Sequence, residues 1–248
     1  MRKPVPQRSP RFLLLPLLLP ALLPLLAHAA DGSDIMQKGG ANPAAMPCIT
    51  CHGTDGKGMA AAGFPRLAGL PEAYIAKQLA DFKAGHRENA VMQPIAQSLT
   101  PEEVAAVAKA YAELPKVNIK PTPVERPQPG SGAWIALRGA WERNIPECTL
   151  CHGPAGVGVG DAFPPLAGQS ALYIENQLKA WRGTKAVAAT RKTKAVAAVP
   201  PSRRNDPNGL MAHIAVDLSD AEIKAVADYF AGLGESKEAF DESQHRLR

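Results

Sequence analysis

Cys48-Ile49-Thr50-Cys51-His52 and Cys148-Thr149-Leu150-Cys151-His152 are the stretches that decide how this chain folds. Each is a Cys-x-x-Cys-His run, the attachment signature of a c-type haem. The spacing follows from the chemistry. Two thiols add to the two vinyl groups of the porphyrin, and the adjacent histidine places an imidazole on the iron from the same turn of chain. The two runs use all four cysteines of the 248 residues, so no thiol remains for a disulfide. A lone Cys-x-x-Cys also reads as a redox dithiol or half a zinc site. The histidine after it, twice, fits neither. The sequence therefore predicts two covalent haem c groups, bound through Cys48, Cys51, Cys148 and Cys151, with His52 and His152 as proximal iron ligands.

The start of the chain reads as an export signal. Arg2, Lys3, Arg8 and Arg11 precede an apolar run over 12–26, and Ala27-His28-Ala29 supplies small residues for cleavage, so 1–29 is read as a cleaved signal peptide. Pro16, Pro20 and Pro24 each remove a helix hydrogen bond, and the run is short for a membrane span. Haem is attached to such chains after export, so the periplasm of a bacterium is the expected compartment. The signal also distorts the charge. The whole chain has 28 basic and 23 acidic side chains, a net +5. Removing the four basic residues of the signal leaves 24 − 23, or +1. That balance, with few aromatics, gives no reason to expect nucleic-acid binding.

After the signal the chain repeats itself at a domain-sized period. Gly63-Phe64-Pro65-Arg66-Leu67-Ala68-Gly69 returns as Ala162-Phe163-Pro164-Pro165-Leu166-Ala167-Gly168. Tyr74-Ile75-Ala76-Lys77-Gln78-Leu79 returns as Tyr173-Ile174-Glu175-Asn176-Gln177-Leu178. Leu99-Thr100-Pro101-Glu102-Glu103-Val104 returns as Leu218-Ser219-Asp220-Ala221-Glu222-Ile223. A Pro-rich stretch over 115–130 separates the copies and reads as an extended linker. Two domains follow, 30–114 and 131–248, each small enough that a haem forms a large part of its core.

The pattern is helical throughout, with no credible strand alternation. Tyr74, Ile75, Leu79 and Phe82 mark one face of a helix over 71–84, stopped by Gly85, and 170–182 is its twin. Thr100-Pro101-Glu102-Glu103 is a capping box that opens a helix with Val104, Val107, Ala108 and Tyr111 inward. Ser219-Asp220-Ala221-Glu222 does the same for Ile223, Val226, Ala227 and Phe230.

On these motifs the mature chain resembles the cytochrome c4 family over nearly its whole length. The resemblance rests on the two Cys-x-x-Cys-His-Gly runs, the two Phe-Pro-x-Leu-Ala-Gly runs and the paired downstream methionines and helices. It implies an all-α protein of two tandem class I cytochrome c domains, each wrapped around one covalent haem and related by a pseudo-twofold, with haem propionates meeting near the domain interface. It further implies electron transfer between respiratory complexes, with redox protein partners such as a cytochrome bc complex and a terminal oxidase. Pro65 and Pro164 match the family position whose carbonyl accepts the imidazole N–H, a bond that orients the ring and raises its basicity.

Spacing picks the second axial ligands. Met211 lies seven residues before Leu218, and Met92 lies seven before Leu99, which sets Met92 apart from Met36, Met46 and Met59. His86 and His213 are the competing ligands. A thioether favours ferrous iron, and a six-coordinate His–Met iron has no vacant position for substrate, so the expectation is a single-electron carrier and not an enzyme. Rival readings are the haem subunit of a dehydrogenase complex and, with one open iron, a dihaem peroxidase. Free diffusion and peripheral membrane attachment both suit a carrier.

Two departures from the repeat stand out. Gly39-Gly40 and Pro43 predict a stunted first helix in the N-terminal domain, against a better one over 133–143 in the second. The second domain also carries a surplus of 19 residues between histidine and methionine (59 against 40), placed near 183–202. There Thr184-Lys185-Ala186-Val187-Ala188-Ala189 recurs as Thr193-Lys194-Ala195-Val196-Ala197-Ala198. The stretch 179–204 holds eight basic and no acidic residues, and reads as a solvated loop or an electrostatic docking arm.

Overall fold

The computed structural model describes residues 31–119, 126–184, 194–195 and 197–234. The expected signal peptide, the centre of the linker and half of the basic insertion lie outside the described residues.

The first half runs α1 (Gly32–Lys38), α2 (Ile49–His52), α3 (Glu72–Lys83), α4 (Met92–Ser98) and α5 (Pro101–Glu113). The second runs α6 (Gly132–Arg138), α7 (Cys148–His152), α8 (Ala171–Arg182), α9 (Leu210–Asp217) and α10 (Asp220–Gly232). Among the described residues there is no strand, only isolated bridges.

The helices start where their caps predict. Thr100 Oγ1 accepts from Glu103 N–H at 3.2 Å while Glu103 Oε2 accepts from Thr100 N–H at 2.8 Å, and Ser219 with Glu222 repeats the exchange. Such caps are worth about 1 kcal/mol each. Their apolar faces then build two separate cores. Val107, Ala108 and Tyr111 are buried with Ile75, Leu79 and Phe82, and Val104 is half-buried against them. Ile223, Val226, Ala227 and Phe230 are buried with Ile174 and Leu178.

In each half the first helix crosses the last one at a glycine. A Cβ on Gly32 would stand 2.1 Å from Ala106 O, and one on Gly132 would stand 1.9 Å from Ala225 O. The expected contrast between these first helices is not found: α1 and α6 have seven residues each. Gly39 and Gly139 end them at φ +91° and +68°, a region open chiefly to glycine. Trp141–Arg143, read as part of the second helix, is a separate 3₁₀ turn. The N-terminal half closes this side through its capping glutamate, whose Oε1 accepts from Ala41 N–H at 2.6 Å.

The halves are joined along a polar seam. Glu88 N–H donates to Ser202 O and Arg204 N–H donates to His86 O, both at 2.7 Å, so the loops that precede the two methionines pair as an antiparallel bridge at Arg87 and Arg203. Gln169 clasps the backbone of Arg66 from both sides, accepting from its N–H at 2.9 Å and donating to its carbonyl at 3.0 Å. The start of the linker packs on both halves, Lys116 against Gly69 and Val117 against Gly168.

Candidate haem sites

Each Cys-x-x-Cys-His run forms one short helical turn whose histidine is buried and whose following chain folds back beneath it. Gly58 N–H donates to His52 O at 2.8 Å, and Gly158 N–H donates to His152 O at 2.7 Å. A Cβ on Gly58 would meet Phe64 O at 2.5 Å, and one on Gly158 would meet Pro165 at 2.8 Å, so only glycine lets the loop come this close. The return path delivers the proline carbonyls. Pro65 O lies 3.0 Å from His52 Nδ1, and Pro164 O lies 2.8 Å from His152 Nδ1. A carbonyl only accepts, so Nδ1 carries the proton and Nε2 keeps the lone pair a metal needs. Burial lowers the pKa of both imidazoles, against the opposing pull of the carbonyls, and favours the neutral, ligating form. Phe64 and Phe163 stand edge-on to the two rings, with centroids 6.4 and 6.1 Å away.

Burial pushes the Cys148 thiol up to about 12 and raises that of Cys48, which favours the neutral thiol form. Cys51 and Cys151 are half-buried beside them. Among the described residues no group of three or more His, Cys, Asp or Glu side chains gathers to hold a metal ion. Neutral imidazoles, paired thiols and apolar surroundings fit a porphyrin that brings its own iron.

Met92 opens α4 and packs half-buried on the N-terminal core, its N–H held at 2.8 Å by Asn89 Oδ1. Met211 lies in the first turn of α9 and packs half-buried on the C-terminal core. Of the other candidates, Met36 is buried within the core, and Met46 and Met59 are exposed. His86 and His213 are exposed, with the His86 side chain 4.0 Å from Asp81.

The basic stretch near the insertion divides. Thr184 and Val199 exchange backbone hydrogen bonds at its base (2.9 and 3.1 Å). Lys179 pairs with Glu175, Arg182 with Asp220 and Arg204 with Glu88 of the other half. Arg203 is buried. Four of the eight charges are therefore engaged by the fold, and Lys194 is described and exposed. The remaining three lie outside the described residues.

Sequence reasoning missed the residues of the seam: Gln78, Asp81, Arg87 and Arg203 are all buried. The available signal was the return of Tyr74 and Gln78 as Tyr173 and Gln177, since a polar pair kept in register on a helix has an inward use.

A paired set of buried Cys-x-x-Cys-His turns, each imidazole tied to a proline carbonyl and each half closed by an N- and a C-terminal helix, defines a tandem c-type cytochrome. The chain matches the cytochrome c family over residues 29–109 and 144–234. It is 54% identical over 212 residues to a thiosulfate dehydrogenase electron acceptor of Stutzerimonas stutzeri (strain A1501), covering 85% of this chain and 90% of that protein. It is 34% identical to cytochrome c4 of Pseudomonas aeruginosa, covering 89% and 98%. Among solved structures, the cytochrome c4 of Pseudomonas stutzeri superposes with a TM-score of 0.59 at 30% identity, covering 75% of this chain and 93% of that one. The thiosulfate dehydrogenase (TsdBA) of Marichromatium purpuratum superposes at 0.65 with 38% identity, covering 81% of this chain but only 39% of that longer one. The chain belongs to the cytochrome c family, as a dihaem, cytochrome c4-like electron carrier with two covalent haem c groups.

Proposed function

We propose that this cytochrome is an exported, periplasmic acceptor of electrons from a thiosulfate-oxidising dehydrogenase. The observation that carries the reading is the 54% identity to a thiosulfate dehydrogenase electron acceptor across 90% of that protein's length. The likeness to part of a solved thiosulfate dehydrogenase chain supports the same partner class. This is the dehydrogenase-linked alternative of the sequence reading. It joins the respiratory one, in which electrons pass on to a terminal oxidase or another periplasmic acceptor.

The bound haems supply one-electron iron chemistry, and the chain sets its terms. Cys48 and Cys51 hold one haem and Cys148 and Cys151 the other. His52 and His152 would ligate iron through Nε2, while the carbonyls of Pro65 and Pro164 hold Nδ1 and so orient the rings. Met92 and Met211 would supply the second ligand to each iron, and a haem so held would carry single electrons without binding substrate.

The test is direct. Oxidised holoprotein is mixed with a purified thiosulfate dehydrogenase and thiosulfate, and the reduced α-band is followed. Reduction that requires both enzyme and thiosulfate is expected. No reduction with an active enzyme, while quinol-linked respiratory membranes reduce the protein readily, would replace this reading with that of a general respiratory carrier.

A further inference from the structure

The N-terminal half buries one hydroxyl that has no nitrogen or oxygen to donate to. Tyr111, near the end of α5, is 1% exposed. Its hydroxyl is sealed from water and finds no hydrogen-bond partner among the described residues. A buried donor left unpaired loses its water and gains nothing in exchange. Phenylalanine fills the same place in the second half, where Phe230 is fully buried, so the packing itself does not require the hydroxyl. Nor can the ring swing aside. A Cβ on Gly56 would stand 3.1 Å from Tyr111 Cε1, so the ring already fills the room that this glycine leaves.

What the hydroxyl faces is the sulfur of Cys48, which packs on the same core. Burial holds the Tyr111 phenol well above its ordinary range, so it keeps its proton and stays a donor. As a thiol the sulfur is a donor too, turned toward Ile35 O at 3.9 Å. Covalent attachment of haem reverses its role. The S–H bond adds across a vinyl double bond. One C–S and one C–H bond replace the S–H and π bonds, with no electron gained or lost. The thioether that remains has no proton to give and can only accept. Two facing donors thereby become a donor and an acceptor.

We propose that Tyr111 donates a hydrogen bond to the Cys48 thioether in the haem-loaded protein, and that this bond raises the reduction potential of the first haem alone. Hydrogen bonds around a haem are one of the levers by which a protein sets its potential. Here the positive end of the O–H dipole is aimed at an atom bonded to the macrocycle, which favours the additional electron of ferrous iron. Burial keeps water from screening it. The second half has no equivalent. Phe230 carries no hydroxyl, and the phenol beside Cys148 is that of Tyr229, edge-on to Phe230 with centroids 5.2 Å apart. Tyr229 is only half-buried, so its hydroxyl can bond to water in place of sulfur. Two halves alike in backbone thus differ in potential through a single buried oxygen.

Spectroelectrochemical titration of the holoprotein tests this, with haem-methyl NMR signals assigning each step to its haem. Tyr111→Phe is expected to lower the potential of the first haem and leave that of the second unchanged, with both haems bound and both irons low-spin. In resonance Raman spectra the C–S stretch of one thioether should shift in the same variant. An unchanged first-haem potential in folded dihaem protein, or an equal fall at both haems, would overturn the bond. A fall with the C–S stretch unmoved would make Tyr111 a packing residue and overturn it as well. If Tyr111→Phe does not fold with both haems, a crystal structure of the wild-type holoprotein decides. A phenol oxygen within hydrogen-bond reach of the Cys48 sulfur supports the bond, and one turned away overturns it. These outcomes do not depend on which dehydrogenase supplies the electrons.

Discussion

Tyr111 and Phe230 hold the same place in the two halves. Each sits in the last helix of its half, each is buried, and each offers its carbonyl at 2.9 Å to the glycine that ends a Phe-Pro-x-Leu-Ala-Gly run, Gly69 or Gly168. Each also fills the space against a tight glycine of the haem loop, Gly56 or Gly156. They differ by one hydroxyl, which lies buried with no nitrogen or oxygen partner and faces only the Cys48 sulfur. The capping glutamates diverge in the same manner. Glu103 accepts from a backbone N–H of Ala41, whereas Glu222 takes both arms of Arg143 at 2.6 and 3.2 Å. Around the haem motifs the divergence reaches the surface. Thr50 and Lys57 are exposed in the first half, with Lys57 3.5 Å from Asp55, where the second half exposes Leu150 and Val157. The comparison teaches that backbone-level landmarks are held fixed because they seat the haem. Side chains beyond that seat are free to give each half its own stability and its own face to partners.

The largest expected effect is loss of one cofactor. Cys51→Ala or Cys151→Ala should weaken attachment in its own half only, seen as a denatured mass lacking one haem. Loss of both haems from one substitution would show that the halves do not fold as separate cofactor-bound units.

Met92→Ala and Met211→Ala come next. Each should convert one iron from low spin and lower that haem's potential, leaving the other nearly unchanged. Retention of full Met-to-iron charge-transfer intensity in both variants would assign the ligand elsewhere.

The Tyr111 and Phe230 pair gives a stability contrast. Phe230→Ala should cost about 3–5 kcal/mol in chemical unfolding of the holoprotein, since a ring is removed from a fully packed site. Tyr111→Phe should cost less than about 1 kcal/mol, because no good hydrogen bond is lost. Equal losses would mean that the two sites are not equivalent.

The glutamates give an acid contrast. Arg143 holds Glu222 at about 2 against an ordinary 4.5. A depressed folded-state pKa gives stability that is present above 4.5 and is lost as pH falls toward 2. Arg143→Leu should therefore make acid unfolding of the second half begin at higher pH, followed through the haem absorbance. Glu103, also lowered but chiefly by backbone N–H groups, should leave the first half unaffected by that substitution.

The smallest effect concerns the surface. If partners meet the apolar face of the second half, Leu150→Asp should slow second-order reduction by the dehydrogenase several-fold, while Thr50→Asp should change it little. The reverse order would place the contact on the first half.

Much of this was legible in the chain itself. The haem motifs and the capping boxes are short-range patterns, and each carries its geometry in its spacing, whereas the proline carbonyl partners came from the family resemblance. The helices over 72–83 and 171–182 were readable for the same reason, since one face of each is apolar at helical period. The first-helix comparison misled because Gly39 drew attention while Gly139, its counterpart, ends α6 just as early. Gln78, Arg87 and Arg203 could not be read as buried. Each is polar, and in isolation each belongs in water. Arg203 sits among basic neighbours that suggest a solvated arm. What buries them is the approach of the other half, with Gln78 and Arg203 meeting across 125 positions of sequence. Local spacing determined where haem attaches and how each half folds around it. Only the packing of one half on the other decided which charges leave the solvent, because desolvation is set by everything that surrounds a group and not by its neighbours along the chain.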